Sequence, residues 1–114
     1  MKVNKLIEKY NFKLLTDTDT DIEINGIYSS DLLSFVMANG ESGNAWITVQ
    51  SHKNILAVAS LVEFSCIILP FGVDTTKDVI DKANQEGINI LETDLDHYEI
   101  NKIFFNEEMN ESLL

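Results

Sequence analysis

The sequence predicts an α/β fold, a layered sheet whose strands are joined by β-α-β crossovers. From Tyr28 onward, segments with helical periodicity alternate with short apolar runs that are typical of buried strands. Residues 45–72 contain the clearest unit: an apolar strand, a polar loop, an apolar helix and a second apolar strand that ends in a Pro-Phe-Gly turn. Because a crossover of this kind joins parallel strands, both strands should lie in one sheet.

The first part of the chain is predicted to hold two helices and two strands. In order, these are a helix over residues 1–10, a short strand over 12–15, a strand over 22–28 and a helix over 31–38. Ser29 or Ser30 is expected to cap the second helix, since serine side chains accept hydrogen bonds from the first backbone N–H groups. That helix should stop at Asn39 and Gly40, residue types that tolerate the left-handed αL conformation.

The rest of the chain continues the alternation. In order, we expect a strand over residues 45–50, a helix over 55–64, a strand from 65 into the 70–72 turn, a helix over 77–86, a strand over 88–92 and a helix over 94–105. Thr75 with Asp78, and Thr93 with Asp96, have the spacing of capping boxes. Gly87 is expected to end the helix that precedes it.

Two segments carry further expectations. The helix over 55–64 is apolar on nearly all sides, which predicts burial against the sheet and against a second subunit. Residues 106–114 are predicted to form an acidic, poorly ordered tail.

Length and composition indicate one globular domain. The 114 residues suffice for an ordinary core, and 45% hydrophobic with 24% charged residues is a usual globular balance. The formal net charge of −11 disfavours binding to nucleic acid and to anionic membrane surfaces. Cys66 has no second cysteine to pair with, and no amino-terminal apolar run resembles a secretory signal, so we expect a cytoplasmic protein.

The candidate ligand site lies where the two strands of the crossover end. Open α/β sheets bind ligands at the carboxyl edge of their parallel strands, so the loop over 51–54 and the turn over 70–72 should meet there. His52 and Lys53 come just before a helix start, where free backbone N–H groups favour an anion; an ordinary strand-to-helix turn is the alternative. The candidate ligand-binding residues are Gln50, Ser51, His52, Lys53, Asn54, Pro70, Phe71 and Gly72.

No catalytic set, metal site or cofactor is expected. The alternating carboxylates over residues 17–21 lack the glycine and glutamate of a calcium loop, which favours a solvated acidic turn over a metal site. His52 and His97 have no companion ligands at the spacing of a zinc site. Cys66 lies in an apolar strand, which favours an inert core thiol over a reactive nucleophile.

The same segments resemble the DRTGG domain family. The resemblance runs from about residue 22 to residue 105 and includes residues 46–72, 79–83, 88–93 and 96–99. Residues 24–39 are especially similar to the short, stand-alone members. The resemblance implies a fold similar to the amino-terminal domain of HPr kinase/phosphorylase and pairing into homodimers. Family members also occur beside CBS modules in nucleotide-regulated pyrophosphatases.

The residues that give the family its name differ in this chain. Gln50, Ser51 and His52 stand where the family has glycine, aspartate and arginine, and Lys53 follows. The Pro-Phe-Gly turn over 70–72 stands where the family has threonine, glycine and glycine. The resemblance therefore covers the framework of the fold more fully than its ligand-binding positions.

Together, these observations favour a non-catalytic regulatory or ligand-binding module that forms homodimers. Its ligand would be an adenine nucleotide or another small anionic metabolite, or its partner would be another protein. The alternative is an accessory subunit of a redox or fermentative enzyme system, which the resemblance to the stand-alone members implies. A transcriptional regulator conflicts with the net charge of −11 and with the absence of a basic helix.

Overall fold

The computed structural model describes the backbone of residues 1–113 and the side chains of residues 1–111. Its elements, in chain order, are α1 (Val3–Tyr10), β1 (Lys13–Leu14), β2 (Gly26–Ser29), α2 (Leu33–Asn39), β3 (Asn44–Ile47), α3 (Asn54–Val62), β4 (Cys66–Leu69), α4 (Lys77–Glu86), β5 (Ile90–Glu92) and α5 (His97–Leu113). No helix among these is long and apolar enough to cross a membrane.

The strands form one mixed sheet in the order β1-β5-β4-β3-β2. Strands β2, β3, β4 and β5 run parallel, and β1 pairs antiparallel with β5. The predicted α/β class is confirmed, and so is the central crossover: β3 pairs in parallel with β4 in the register Ala45 to Cys66 and Ile47 to Ile68. All residues of β3 and β4 are buried, because helices cover both faces of the sheet.

Alternate residues of each strand enter two separate cores. On one face, α1 and α5 cover Ala45, Ile47, Cys66, Ile68 and Leu91. On the other face, α2, α3 and α4 cover the intervening side chains, Trp46, Ile67, Leu69 and Ile90. Because successive strand side chains point to opposite faces, the short apolar runs fill both cores at once and produce three layers.

Strands β2 and β3 are shorter than predicted. Strand β2 begins only at Gly26, since Ile24 donates its backbone N–H to the carbonyl of Met1 and so pairs with the start of the chain. Strand β3 ends at Ile47 rather than at residue 50, because the next residues bond to the β2–α2 loop.

Helix α2 begins and ends differently from the prediction. Its N-cap is Leu32, without a side-chain cap, and the hydroxyl of Ser30 accepts a bond from the N–H of Leu32 just outside the helix. Gly40 does follow the last helical residue, but its backbone is extended (φ −66°, ψ 148°) instead of left-handed. Gly40 is required there for another reason: a Cβ atom would lie 2.6 Å from the ring of Phe64.

Both predicted capping boxes are displaced along the chain. Helix α4 is capped by Thr76, whose hydroxyl accepts a bond from the N–H of Val79. The box of α5 is formed by Asp96 and Glu99, whose carboxylates accept bonds from each other's backbone N–H. Gly87 ends α4 with φ of 71°, as predicted.

The predicted poorly ordered tail is helical over residues 106–113, and Leu114 lies outside the described residues. The cause is Glu107, whose side chain is only 4% exposed. It accepts bonds from Lys5 Nζ at 2.9 Å, from Lys9 Nζ at 3.1 Å and from the Tyr10 hydroxyl. The bonds from Lys5 and Tyr10 lower the pKa of Glu107 to about 2. Helix α1 therefore anchors the last turns of α5.

We expect Glu107→Gln to lower the free energy of unfolding by about 2 kcal/mol at pH 7, because the buried ion pairs lose their charge on one side. Since folding lowers this pKa from 4.5 to about 2, the carboxylate stabilises the fold fully above pH 4.5 and progressively less as the pH falls toward 2. Urea unfolding at several pH values measures the difference from the parent. The control is Glu8→Gln, an exposed carboxylate of α1; an equal loss in both variants would contradict the prediction.

Candidate functional site

The carboxyl ends of the parallel strands meet at one edge of the sheet, as predicted. There the Thr75 hydroxyl, in the β4–α4 loop, donates a bond of 2.7 Å to the carbonyl of Ser51, in the β3–α3 loop. The turn after β4 is also hydrogen-bonded to the β5–α5 loop: Phe71 N–H donates to Leu95 O, and Gly72 N–H donates to Thr93 O. Three consecutive loops thus form one connected surface at this edge.

Asp31, in the β2–α2 loop, holds the end of β3. Its Oδ1 atom accepts bonds from the Thr48 hydroxyl at 2.9 Å and from the Val49 N–H at 2.8 Å. The side chain of Gln50 donates to the Asp31 carbonyl at 3.1 Å. These bonds satisfy polar groups at the point where β3 leaves the sheet, so Asp31 and Gln50 serve the structure of the loop.

The other predicted site residues differ in how far they reach solvent. His52, Lys53 and Asn54 are exposed at the start of α3. Lys53 borders an open cavity of about 430 Å³ between α3 and α4, together with Asp78, Asp81, Lys82 and Gln85. Pro70 is buried, whereas Phe71 and Gly72 are exposed. The structure therefore divides the predicted site into a cavity beside Lys53 and a turn at Phe71.

The turn after β4 has an unusual backbone. Phe71 and Gly72 have φ of 59° and 66°, and Val73 N–H donates a bond of 3.0 Å to Pro70 O. Positive φ at both central residues is the pattern of a type I′ turn, which favours asparagine or glycine. The Phe71 ring lies 5.7 Å from the ring of His97, the first residue of α5.

A second cavity, of about 250 Å³, lies at the opposite, amino end of β2 and is unsuited to an anion. Carboxylates dominate its lining: Met1, Glu23, Ile24, Asn25, Gly26, Phe104, Glu107, Glu108 and Glu111. Like charges on a ligand would be repelled there. Of these two cavities, the one beside Lys53 offers the better electrostatic setting for an anion.

Candidate catalytic and metal-binding groups occupy structural positions. Burial raises the pKa of the Cys66 thiol to about 12, which keeps it protonated and unreactive at neutral pH. In the acidic turn, Asp19 accepts a bond from the N–H of Asp21, and Asp21 pairs with Lys2 at 2.6 Å. Within the described residues, no group of three or more histidine, cysteine or carboxylate side chains is arranged to hold a metal ion.

Sequence reasoning missed several residues at this edge. Asp31 and Thr75 tie the loops together, Asp94 lies against Gly72, and His97 lies beside Phe71. A signal existed for some of them: β2 and β5 are also parallel strands, so the loops that follow them must reach the same edge. The choice of polar partners within that edge has no comparable pattern in the sequence.

Comparison with known proteins supports the fold. No protein-family model matches the chain, and no curated protein matches it. Among solved structures, it is similar to the CBS and DRTGG domains of the regulatory region of a Clostridium perfringens pyrophosphatase, complexed with its activator, diadenosine tetraphosphate. The TM-score is 0.66 at 12% identity, over 88% of this chain and 44% of the other. The chain thus spans less than half of that structure, and the shared fold supports the DRTGG resemblance.

The bonds of Asp31 lead to a prediction about stability. Asp31→Ala should lower the free energy of unfolding by about 2 kcal/mol, because the fully buried Thr48 hydroxyl and the Val49 N–H lose their acceptor. Chemical denaturation measures this loss. The control is Asp17→Ala, an exposed carboxylate without a side-chain partner among the described residues; a loss no larger than that of the control would contradict the assigned role.

Proposed function

We propose that this chain is a non-catalytic regulatory module that binds a small anionic metabolite at the carboxyl edge of its sheet and forms homodimers. The proposal rests first on the Lys53 ammonium, an unpaired cation at the point where the predicted loops converge. Its cavity of about 430 Å³ has the size of a small-molecule site. The remaining support comes from the pairing of the other lysines, from the fold comparison and from the apolar helices.

The pairing of the other lysines singles out Lys53. The chain contains eight lysines and no arginine, and all eight lie within the described residues. Six of them form salt bridges: Lys2, Lys5, Lys9, Lys13, Lys77 and Lys82. Lys102 lies over the ring of Tyr98. Lys53 has no such partner among the described residues, so its positive charge remains available to an anion in a chain of net charge −11.

The cavity beside Lys53 also contains Lys82, which is paired with Glu86 at 3.5 Å, and the carboxylates of Asp78 and Asp81. Asp81 is paired with Lys77 at 3.8 Å, which offsets part of its negative charge. The structural neighbour is a regulatory region that binds a nucleotide activator, diadenosine tetraphosphate. An anionic metabolite such as a nucleotide is therefore the ligand class that we propose for this chain.

A regulatory role agrees with the state of the groups that could otherwise act in catalysis. The thiol of Cys66 is buried and protonated, and Asp31 is engaged in backbone and hydroxyl bonds. These contacts support a site that binds rather than one that transforms its ligand. The cytoplasmic location and the absence of contacts with nucleic acid and membranes remain predictions from charge and cysteine content.

Ligand binding should depend on Lys53. We expect AMP, ATP, dinucleoside polyphosphates or pyrophosphate at millimolar concentration to raise the midpoint of thermal unfolding, because a ligand that binds only the folded state stabilises it. Lys53→Ala should reduce that shift by at least half. The matched control is Lys2→Ala, which removes a lysine at the amino end of the sheet. A parent protein without any shift, or a variant that responds like the parent, would rule out this site.

The proposed homodimer uses the outer surface of α2 and α3. Neither helix contains a charged residue, although 24% of the chain is charged. The surface exposes Phe35 by 58% and Leu61 by 70%, as well as Leu32. Two copies of a chain with net charge −11 repel each other least where their contact surfaces carry no charge. The second copy therefore suits this uncharged apolar surface.

Charges placed on that surface should dissociate the dimer. We expect the parent to have twice the monomer mass of 12.9 kDa by light scattering, and Phe35→Asp or Leu61→Asp to be monomeric at the same concentration. The matched control is Phe105→Asp, which alters an equally exposed phenylalanine of α5. A monomeric parent would contradict the dimer, and dissociation by the control alone would place the contact on α5.

A further inference from the structure

Phe71 adopts a backbone conformation that its side chain disfavours. Its φ of 59° lies in the left-handed region. In this region the Cβ atom, which every residue except glycine carries, lies too close to the carbonyl oxygen that follows it. Asn11 and Glu63 share this conformation, but they end helices, where it commonly occurs. Phe71 is instead the first central residue of a tight turn, a position that asparagine or glycine usually occupies. A bulky residue there calls for a compensating role.

Packing does not supply that compensation. The Phe71 side chain is 58% exposed, so it contributes little to either core. Hydrogen bonds nonetheless hold the backbone of the turn in place: the N–H groups of Phe71, Gly72 and Val73 donate bonds of 3.0, 2.8 and 3.0 Å to the carbonyls of Leu95, Thr93 and Pro70. The structure therefore presents a large apolar ring to solvent, at the edge of the sheet where the loops converge.

The neighbours of the ring define what could bind to it. The imidazole of His97 lies 5.7 Å away at an interplanar angle of 57°, which adds a second flat surface. The Asp94 carboxylate lies against Gly72, since a Cβ atom there would be 2.9 Å from Asp94 Oδ1. Asp94 has no hydrogen bond or ion pair with another described residue, so its oxygens can accept from a ligand. An exposed aromatic ring beside a free carboxylate suits a flat ring that bears N–H donors.

We infer that Phe71 and His97 form a stacking platform for a planar nitrogen heterocycle whose amino group donates to Asp94. This deepens the proposed function and rests on its ligand-binding role. The platform contacts the ring of the ligand, whereas the cavity beside Lys53 binds its negatively charged group. A free carboxylate beside the platform disfavours phosphate groups at this point, so the two contacts are separable by experiment.

The test uses two probes that each report one contact. Adenosine supplies an uncharged ring with an amino group, and pyrophosphate supplies charge without a ring. We expect adenosine, titrated by calorimetry, to bind the parent, and Phe71→Asn to weaken it about tenfold through the loss of stacking. Phe71→Asn should also raise the midpoint of thermal unfolding by about 2–5 °C, because asparagine tolerates the left-handed conformation better. Weaker binding by a more stable protein separates a role in binding from one in folding.

Two further variants complete the design. Phe71→Tyr should retain adenosine binding, since it keeps the ring, and Phe105→Asn should leave binding unchanged, since it alters a comparably exposed ring of α5. Pyrophosphate should respond to Lys53→Ala but not to Phe71→Asn. The platform is overturned if adenosine fails to bind the parent at millimolar concentration or binds Phe71→Asn equally well. In either case, the pyrophosphate response decides independently whether the Lys53 site stands.

Discussion

The parallel pairing of β3 with β4 is the constraint on which the rest of the structure depends. Both strands are buried along their whole length, so their backbone groups must bond to each other and their side chains must alternate between two cores. Parallel pairing in turn requires α3 to cross over one face, and it brings the loops after β3 and β4 to the same edge. The geometry of the candidate site is thus a consequence of how the core is built.

At that edge, some polar side chains hold the loops together and others remain available to bind a ligand. Asp31, Gln50 and Thr75 bond to neighbouring loops and give the edge its shape. Lys53 and Asp94 are left without partners among the described residues. Because an exposed charge costs little free energy when water solvates it, stability does not require these two groups to be paired. Their availability agrees with the ligand-binding function that we propose.

One buried carboxylate, that of Glu107, joins the helices at the two ends of the chain. Helix α1 leaves the face of the sheet incompletely covered, and α5 completes that layer with Ile100 and Phe104. Glu107 then joins the end of α5 to α1 at three points, which extends the helix past its last core residue. A segment rich in acidic residues is consequently ordered in a chain of net charge −11, since lysines of another helix offset its charge locally.

The sequence by itself determined the α/β class, the crossover around β3 and β4, the bounds of α4 and its stop at Gly87, because periodicity and local backbone preferences act over a few neighbouring residues. The tertiary structure alone decided the antiparallel place of β1, the late start of β2, the early end of β3, the helical residues 106–113 and the partners of Asp31. Each of these depends on contacts between residues far apart in the chain, as between Glu107 and Lys5, and no local pattern encodes them. Phe71 illustrates both contributions. Its place in a turn could be predicted from the neighbouring Pro70 and Gly72, whereas its exposure beside His97 depends on the tertiary structure.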